Sequence, residues 1–175
     1  MIDSGKNPRL TLVLGGARSG KSALAERLLT AEPGPWAYIA TAQAFDDEMR
    51  DRIAVHRARR ADGWVTYDAP VELPGILARE AVGQPVLVDC LTLWLSNLML
   101  GGHDVMAATE ALVAALPNRT APCILVSNEV GLGIVPDNAL ARAFRDEAGR
   151  LNQRMASLAD RVMFVAAGLP LTLKG

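Results

Sequence analysis

Cysteine and histidine are scarce. Two of each among 175 residues, with no Cys or His spacing suited to zinc, exclude a disulfide-built scaffold and a structural zinc site. Cys90 and Cys123 each sit inside an apolar run, where a free cysteine serves as a small core hydrophobe. Charge of one sign is also lacking. The 18 Lys and Arg against 19 Asp and Glu give a formal net charge of −1, so no global excess points to nucleic acid or to an anionic membrane. Any anion site must be local. No stretch approaches the ~18 uninterrupted apolar residues of a membrane span, and the opening MIDSGKNPRL has no apolar signal core. The expectation is a cytoplasmic chain of one domain over residues 1–175, with residues 1–9 as a flexible extension. Half of the residues are hydrophobic, which suffices for a buried core.

Short apolar runs rich in β-branched residues alternate with longer stretches of helical period, the pattern of an α/β architecture. The expected strands are Leu10 to Leu14, Trp36 to Thr41, Trp64 to Tyr67, Val86 to Leu91, Cys123 to Val126 and Arg161 to Ala166. Most are continuously apolar, as in a parallel sheet covered by helices on both faces. The expected helices are Ser22 to Leu29, Asp47 to Arg60, Val71 to Ala81, Val105 to Leu116 and Asn138 to Ala159. LGGHDV near residue 100 and GLGIVPDN from Gly131 are the most loop-like breaks.

The first strand runs into Gly15-Gly16-Ala17-Arg18-Ser19-Gly20-Lys21-Ser22, which satisfies G-x-x-x-x-G-K-[ST] between a strand and a helix. Glycines let backbone amides curl around phosphate oxygens, and the helix N-terminus adds partial positive charge. Lys21 is placed to reach the β and γ phosphates and Ser22 to ligate Mg2+. This is a nucleoside triphosphate site. Its second acid is expected at the tip of a neighbouring strand, and PVLVDCLT supplies Asp89 there, in the Walker B position. A buried structural aspartate is the other reading of Asp89.

The segment YIATAQAFDDEMRDRIAVHRARR, residues 38–60, places Arg52, His56 and Arg60 four residues apart, with Arg59 three after His56. On a helix one stripe then carries an imidazole flanked by guanidinium groups, a surface suited to an anion. Neighbouring arginines disfavour the protonated imidazole and keep a nucleophilic lone pair at neutral pH. Periodicity alone favours the plainer reading, a solvated basic face.

GGARSGKS, YIATAQAFDDEMRDRIAVHRARR, VLVDCLTLWLSNL and VSNEVGLGIVPDNALARAFRDEAGRLNQRMASLAD, in this order and spacing, resemble the bifunctional adenosylcobinamide kinase/adenosylcobinamide-phosphate guanylyltransferase family. The resemblance runs from Leu12 to the last strand, and its long, unusual segments are D-D-E-M-x-x-R-I-x-x-H-R and N-E-V-G-x-G-I-V-P. It implies a three-layer α/β P-loop NTPase fold of RecA-like type, with a mostly parallel central sheet flanked by helices. It implies two reactions. Adenosylcobinamide is phosphorylated with ATP or GTP; GMP then passes from GTP through a guanylylated histidine onto that phosphate, giving adenosylcobinamide-GDP and pyrophosphate. His56 holds the histidine position, whereas His103 lies outside any family motif. Family nucleotide contacts carry onto Gly15 to Ser22, onto Ala40, Thr41 and Ala42, onto Arg57, Ala58, Arg59 and Arg60, and onto Asp68 and Asp89. The family is trimeric. A homo-oligomer is also expected because Leu93, Trp94, Leu95, Leu98, Met99 and Leu100 exceed what one helix face normally buries.

The guanine-reading N/T-K-x-D motif of GTPases is absent, so the choice of GTP rests on the resemblance. NEVGLGIVP follows the fifth strand at the edge where open α/β sheets bind ligands, and its glycines suit either substrate binding or the turn alone. Arg145, Asp146, Asn152 and Gln153 lie on the long amphipathic helix, open to packing, subunit-contact or chemical roles. Two rival functions use the same motifs. A plain small-molecule P-loop kinase needs Lys21, Ser22 and Asp89 but no covalent role for His56. A non-catalytic nucleotide switch needs flexible loops, for which residues 41–46 and 131–137 are the main room.

Overall fold

The computed structural model describes residues 8–43, 62–81 and 83–175. The helix expected over Asp47 to Arg60, and with it His56, Arg57, Ala58, Arg59 and Arg60, lies outside the described residues.

Strands β1 (Leu10–Gly15), β2 (Trp36–Ala40), β3 (Trp64–Asp68), β4 (Val86–Asp89), β5 (Cys123–Asn128), β6 (Arg161–Ala166) and β7 (Leu169–Lys174) form a seven-stranded sheet in the order β3-β2-β4-β5-β1-β6-β7. The first six are mutually parallel and β7 is antiparallel to β6. The helices are α1 (Lys21–Leu29), α2 (Leu73–Gly75) continuing as a π-helical turn over Ile76–Glu80, α3 (Leu91–Leu100), α4 (Val105–Ala115) and α5 (Ala139–Leu158).

Strand alternation divides the core into two layers. Val13, Tyr38, Leu87, Ile124 and Val126 face α1 and pack on Leu24, Ala25 and Leu29. Leu12, Ile39, Val88 and Leu125 face the other way, onto Leu73, Leu91, Trp94, Leu95, Leu98, Leu112, Leu151 and Met155 of the remaining helices. The start of β1 is fastened by Asp160, whose Oδ2 accepts from the backbone N–H of Arg9 at 2.9 Å and of Leu10 at 2.8 Å. Arg9 O also accepts from Cys123 N at 2.7 Å, so the ordered chain includes the last residue of the expected extension. Asp104 and Asn138 cap α4 and α5 by accepting from the N–H of Ala107 and Ala141.

Four expectations are corrected. β4 stops at Asp89, and Leu91 opens helix α3, where no helix was assigned. The nearly all-round apolar character of α3 erases the amphipathic period, because the helix is buried on several sides. For the same reason most of its surplus apolar residues are used inside the chain: Trp94, Leu95 and Leu98 are core, Leu93 and Met99 are partly buried against it, and only Leu100 is exposed. The helix expected over Val71 to Ala81 is a short α turn that widens, Ala81 N donating to Ile76 O at 3.0 Å. Finally, the C-terminal LPLTLK forms β7. Ala167 and Gly168, at φ 52° and 79°, make the two-residue turn that joins it to β6. Pro170 is compatible with this strand because β7 is the sheet edge.

Trp94 is fully buried, and its Nε1 donates to Val71 O at 2.8 Å. Trp94→Ala is expected to cost about 3–5 kcal/mol of stability, read as a lower denaturant midpoint at unchanged slope in chemical unfolding.

Candidate active site

β1 ends where no side chain fits. A Cβ on Gly15, whose φ is 154°, would stand 2.4 Å from Val165 O and 2.8 Å from Ser19 Oγ. The chain therefore leaves the sheet through glycine, turns through Arg18 at φ 54°, and enters α1 after Gly20 at φ 98°. Ser19 O accepts from Gly168 N at 2.8 Å, so the β6–β7 turn braces the loop from outside. Lys21, the first residue of α1, is buried, and its Nζ donates to Gly16 O at 2.5 Å and to Ser19 Oγ at 3.4 Å. Burial lowers the Lys21 ammonium below the usual lysine range, while Cys90 and the Asp89 carboxylate work the other way. Ser22 follows, half-buried, and its hydroxyl has no hydrogen-bond partner among the described residues.

The residues one pleat beyond the α1-facing core share its face. Val13, Tyr38, Leu87 and Val126 face α1, so Gly15, Ala40, Asp89 and Asn128 end their strands on that side. Asp89 stands beside Ala40 in register, and its Oδ2 accepts from Tyr38 Oη at 3.2 Å. The phosphate cradle, its lysine and the expected acid thus meet at one edge of the sheet, on one face. Asp89 is half-buried at this edge.

The exit from β2 is fixed as firmly. The Asp89–Cys90 peptide is cis, and Thr41, fully buried, donates through Oγ1 to Cys90 O at 2.7 Å while accepting from Cys90 N at 2.8 Å. Asn97 on α3 donates to Thr41 O at 2.8 Å and to Pro70 O at 3.0 Å, tying together the segments that follow β2 and β3. Ala40 and half-buried Ala42 flank this anchor. Burial first, and then the Asp89 carboxylate, pushes the Cys90 thiol up to about 11. Burial does the same to Cys123, also to about 11, and both cysteines are free, as expected of core residues.

Asp68 is placed apart. It is exposed at the tip of β3, four strand spacings from β1, roughly 19 Å at the usual interstrand distance. His56 and Arg57 to Arg60 fall outside the described residues. The sequence reading passed over a buried polar cluster behind the site. Asn128 N donates to Thr92 Oγ1 at 2.7 Å, Asn152 Nδ2 donates to Asn128 O at 3.1 Å, and Ser127 Oγ donates to Asn152 Oδ1 at 2.7 Å. Asn152 had stood out only as a polar residue on an amphipathic helix. A buried polar residue on the core stripe of α5 was the available signal.

The family described as CobU, cobinamide kinase / cobinamide phosphate guanyltransferase, matches residues 11–173. The bifunctional adenosylcobalamin biosynthesis protein CobP of Pseudomonas aeruginosa is 52% identical over 167 residues, covering 94% of this chain and 96% of that protein. The bifunctional adenosylcobalamin biosynthesis protein CobU of Salmonella typhimurium is 42% identical over 181 residues, covering 94% and 99%. The chain belongs to this family. It is a bifunctional enzyme, a kinase and a nucleotidyltransferase, with a P-loop nucleotide site. The RadB recombinase structure, 17% identical with a TM-score of 0.50 over 91% of this chain and 76% of that one, shares the fold alone, in keeping with the expected RecA-like P-loop architecture. Among the described residues no helix is long and apolar enough to cross a membrane. Among the described residues there is also no group of three or more His, Cys, Asp or Glu that could hold a metal ion.

The two neighbouring glycines of the family's phosphate loop separate sterically. A Cβ on Gly16 meets nothing within 4 Å. Gly15→Ala is expected to destabilise the fold by about 1–3 kcal/mol, whereas Gly16→Ala leaves the melting temperature within about 2 °C of the parent, a stability change below ~0.5 kcal/mol. Thermal unfolding of the two variants checks this; equal loss in both would refute the close approach to Val165.

Proposed function

We propose that this enzyme phosphorylates the aminopropanol hydroxyl of adenosylcobinamide with ATP or GTP and then guanylylates the product, giving adenosylcobinamide-GDP and pyrophosphate. The observation that carries the reading is the meeting of Lys21, Ser22 and Asp89 at the carboxyl edge of the sheet, in a chain that belongs to a cobinamide kinase and guanyltransferase family. In the first reaction the amides of Gly15 to Ser22 hold the phosphate chain. Lys21 leaves Gly16 O to neutralise charge on the β and γ phosphates. The acceptor oxygen bonds to the γ-phosphorus as the bond to the β,γ-bridging oxygen breaks, its electron pair staying on the nucleoside diphosphate.

In the second reaction His56 attacks the α-phosphorus of GTP and releases pyrophosphate; the phosphate of the corrinoid then displaces the imidazole. A histidyl intermediate divides one hard displacement between two anions into two easier steps. The assignment rests on the residue's place in the family motif and on the chemistry of imidazole. Ala40, Thr41, Ala42, Asp68 and Arg57 to Arg60 are proposed nucleotide contacts on the same ground.

Ser22 and Asp89 are the residues that would hold Mg2+. An unpartnered hydroxyl and a half-buried carboxylate are hard oxygen donors, and Mg2+ needs only one or two protein oxygens besides phosphate and water. When bound, the ion neutralises charge on the phosphate chain. The proposed working form is a cytoplasmic homo-oligomer, a trimer by resemblance. Leu169, Leu171 and Leu173, exposed along the free edge strand β7, are apolar surface in keeping with a subunit contact.

Lys21→Ala is expected to lower phosphorylation about 10²-fold or more, and near-normal turnover would sink the P-loop assignment. The covalent step is read with α-labelled GTP. Label should stay on denatured wild-type protein and on His103→Ala, be lost in acid, survive alkali as a phosphoramidate does, and be missing from His56→Ala, which keeps most of its kinase activity. Label of equal strength on His56→Ala would overturn the assignment of His56 as the nucleophile.

A further inference from the structure

β5 lies between the strand that carries the phosphate loop and the strand that carries Asp89, and its last residue pairs with Gly15. Asp89 pairs with Val126, so Asn128 reaches two residues further out, roughly 6.6 Å along the strand direction. Ser127 turns its side chain toward Thr92 and Asn152; Asn128, next along, turns toward α1, the side of Lys21 and Asp89. Its backbone N–H and C=O are both held by buried side chains, Thr92 Oγ1 and Asn152 Nδ2. Its carboxamide is different: it is half-buried and makes no hydrogen bond among the described residues. A strand tip fixed this tightly, ending in an unengaged amide between a phosphate-binding lysine and an acid, is arranged for a ligand.

We propose that Asn128 is a catalytic residue of the phosphoryl-transfer step, its Nδ2 donating to an oxygen of the γ-phosphoryl group, with Thr92 and Asn152 as its positioning residues. The inference rests on the kinase reading above. The γ end follows from Lys21, which in this loop pattern serves the β and γ phosphates and opens α1, the helix over the face on which Asp89 and Asn128 end their strands. During transfer the acceptor oxygen bonds to the γ-phosphorus, the β,γ-bridging bond breaks onto the diphosphate, and the hydroxyl proton passes to solvent. A carboxamide takes no proton. It stabilises the equatorial oxygens of the transferring group, a part a fixed donor fills without reorganisation.

Asn128→Ala and the isosteric Asn128→Asp are the test, since the clamp uses only the backbone of residue 128 and so survives both. With γ-labelled ATP and adenosylcobinamide, Asn128→Ala is expected to lose about 10²-fold in kcat with KM for ATP changed less than about threefold, a split that marks an interaction made mainly in the transition state. Asn128→Asp, which sets an anion against the phosphate, should lose more than Asn128→Ala. Histidine labelling by α-labelled GTP should fall far less than phosphorylation in both variants. Asn152→Ala, acting through the peptide, should lower kcat by a smaller factor than Asn128→Ala. Unchanged phosphorylation, or equal falls in phosphorylation and labelling, overturns the proposal. Failure of the wild-type enzyme to phosphorylate adenosylcobinamide overturns the kinase reading, and this proposal with it.

Discussion

The approach of β1 to β6 at Gly15 governs the site. Val165 O lies where a Cβ would project, so the chain can end β1 only with glycine and must leave the sheet toward α1. From that exit follow the placing of Lys21 at the first position of α1 and the contact of Ser19 with the β6–β7 turn. A parallel sheet supplies the leverage. Its six parallel strands finish at one edge, and a loop forced off the inner strand β1 arrives among their tips.

Alternation then decides which tips matter. With Val13, Tyr38, Leu87 and Val126 packed under α1, the period of two sends Gly15, Ala40, Asp89 and Asn128 to the same side. A one-residue slip of β4 or β5 would turn Asp89 or Asn128 to the opposite face, the side of Leu12, Val88 and Leu125. The apolar core and the active-site geometry are therefore specified by the same residues. Register is enforced by burial, and burial by the helices on both faces.

Legibility in the sequence followed the same division. The phosphate loop, Asp89, the strands and the capped helices α4 and α5 were readable because each carries a local signature: glycine spacing, an acid closing an apolar run, or Asp104 and Asn138 before an apolar period. Helix α3 was not. Its burial on several sides leaves LTLWLSNLML without a polar face, and the same burial, seen without coordinates, looked like surface for a partner. β7 was missed although Gly168 and the Leu169, Leu171, Leu173 alternation announce a hairpin, because Pro170 argues against a strand anywhere but at an edge. The clamp on Asn128 lies beyond any reading of pattern. It joins residues 92, 127, 128 and 152, and nothing in their spacing says that α3 and α5 converge on one peptide group.

That clamp is a consequence of unequal strand lengths. β4 ends at Asp89, opposite Val126, so beyond this level β5 has a neighbour on the β1 side only. Glu129 N turns to that side and donates to Gly15 O at 3.0 Å. The N–H and C=O of Asn128 point to the other side, where a longer β4 would have met them. Left unpaired in a half-buried position, each would cost about 1–3 kcal/mol. Thr92 and Asn152 take the place of the missing strand, one from the first turn of α3 and one from the buried stripe of α5. The sheet edge is thereby stepped. Directly beyond Asp89 no strand continues among the described residues, while the taller β5 beside it is held on both sides. A site for a polyanion is served by donors held in place, and the clamp keeps the tip of β5 in place where its ladder to β4 has ended.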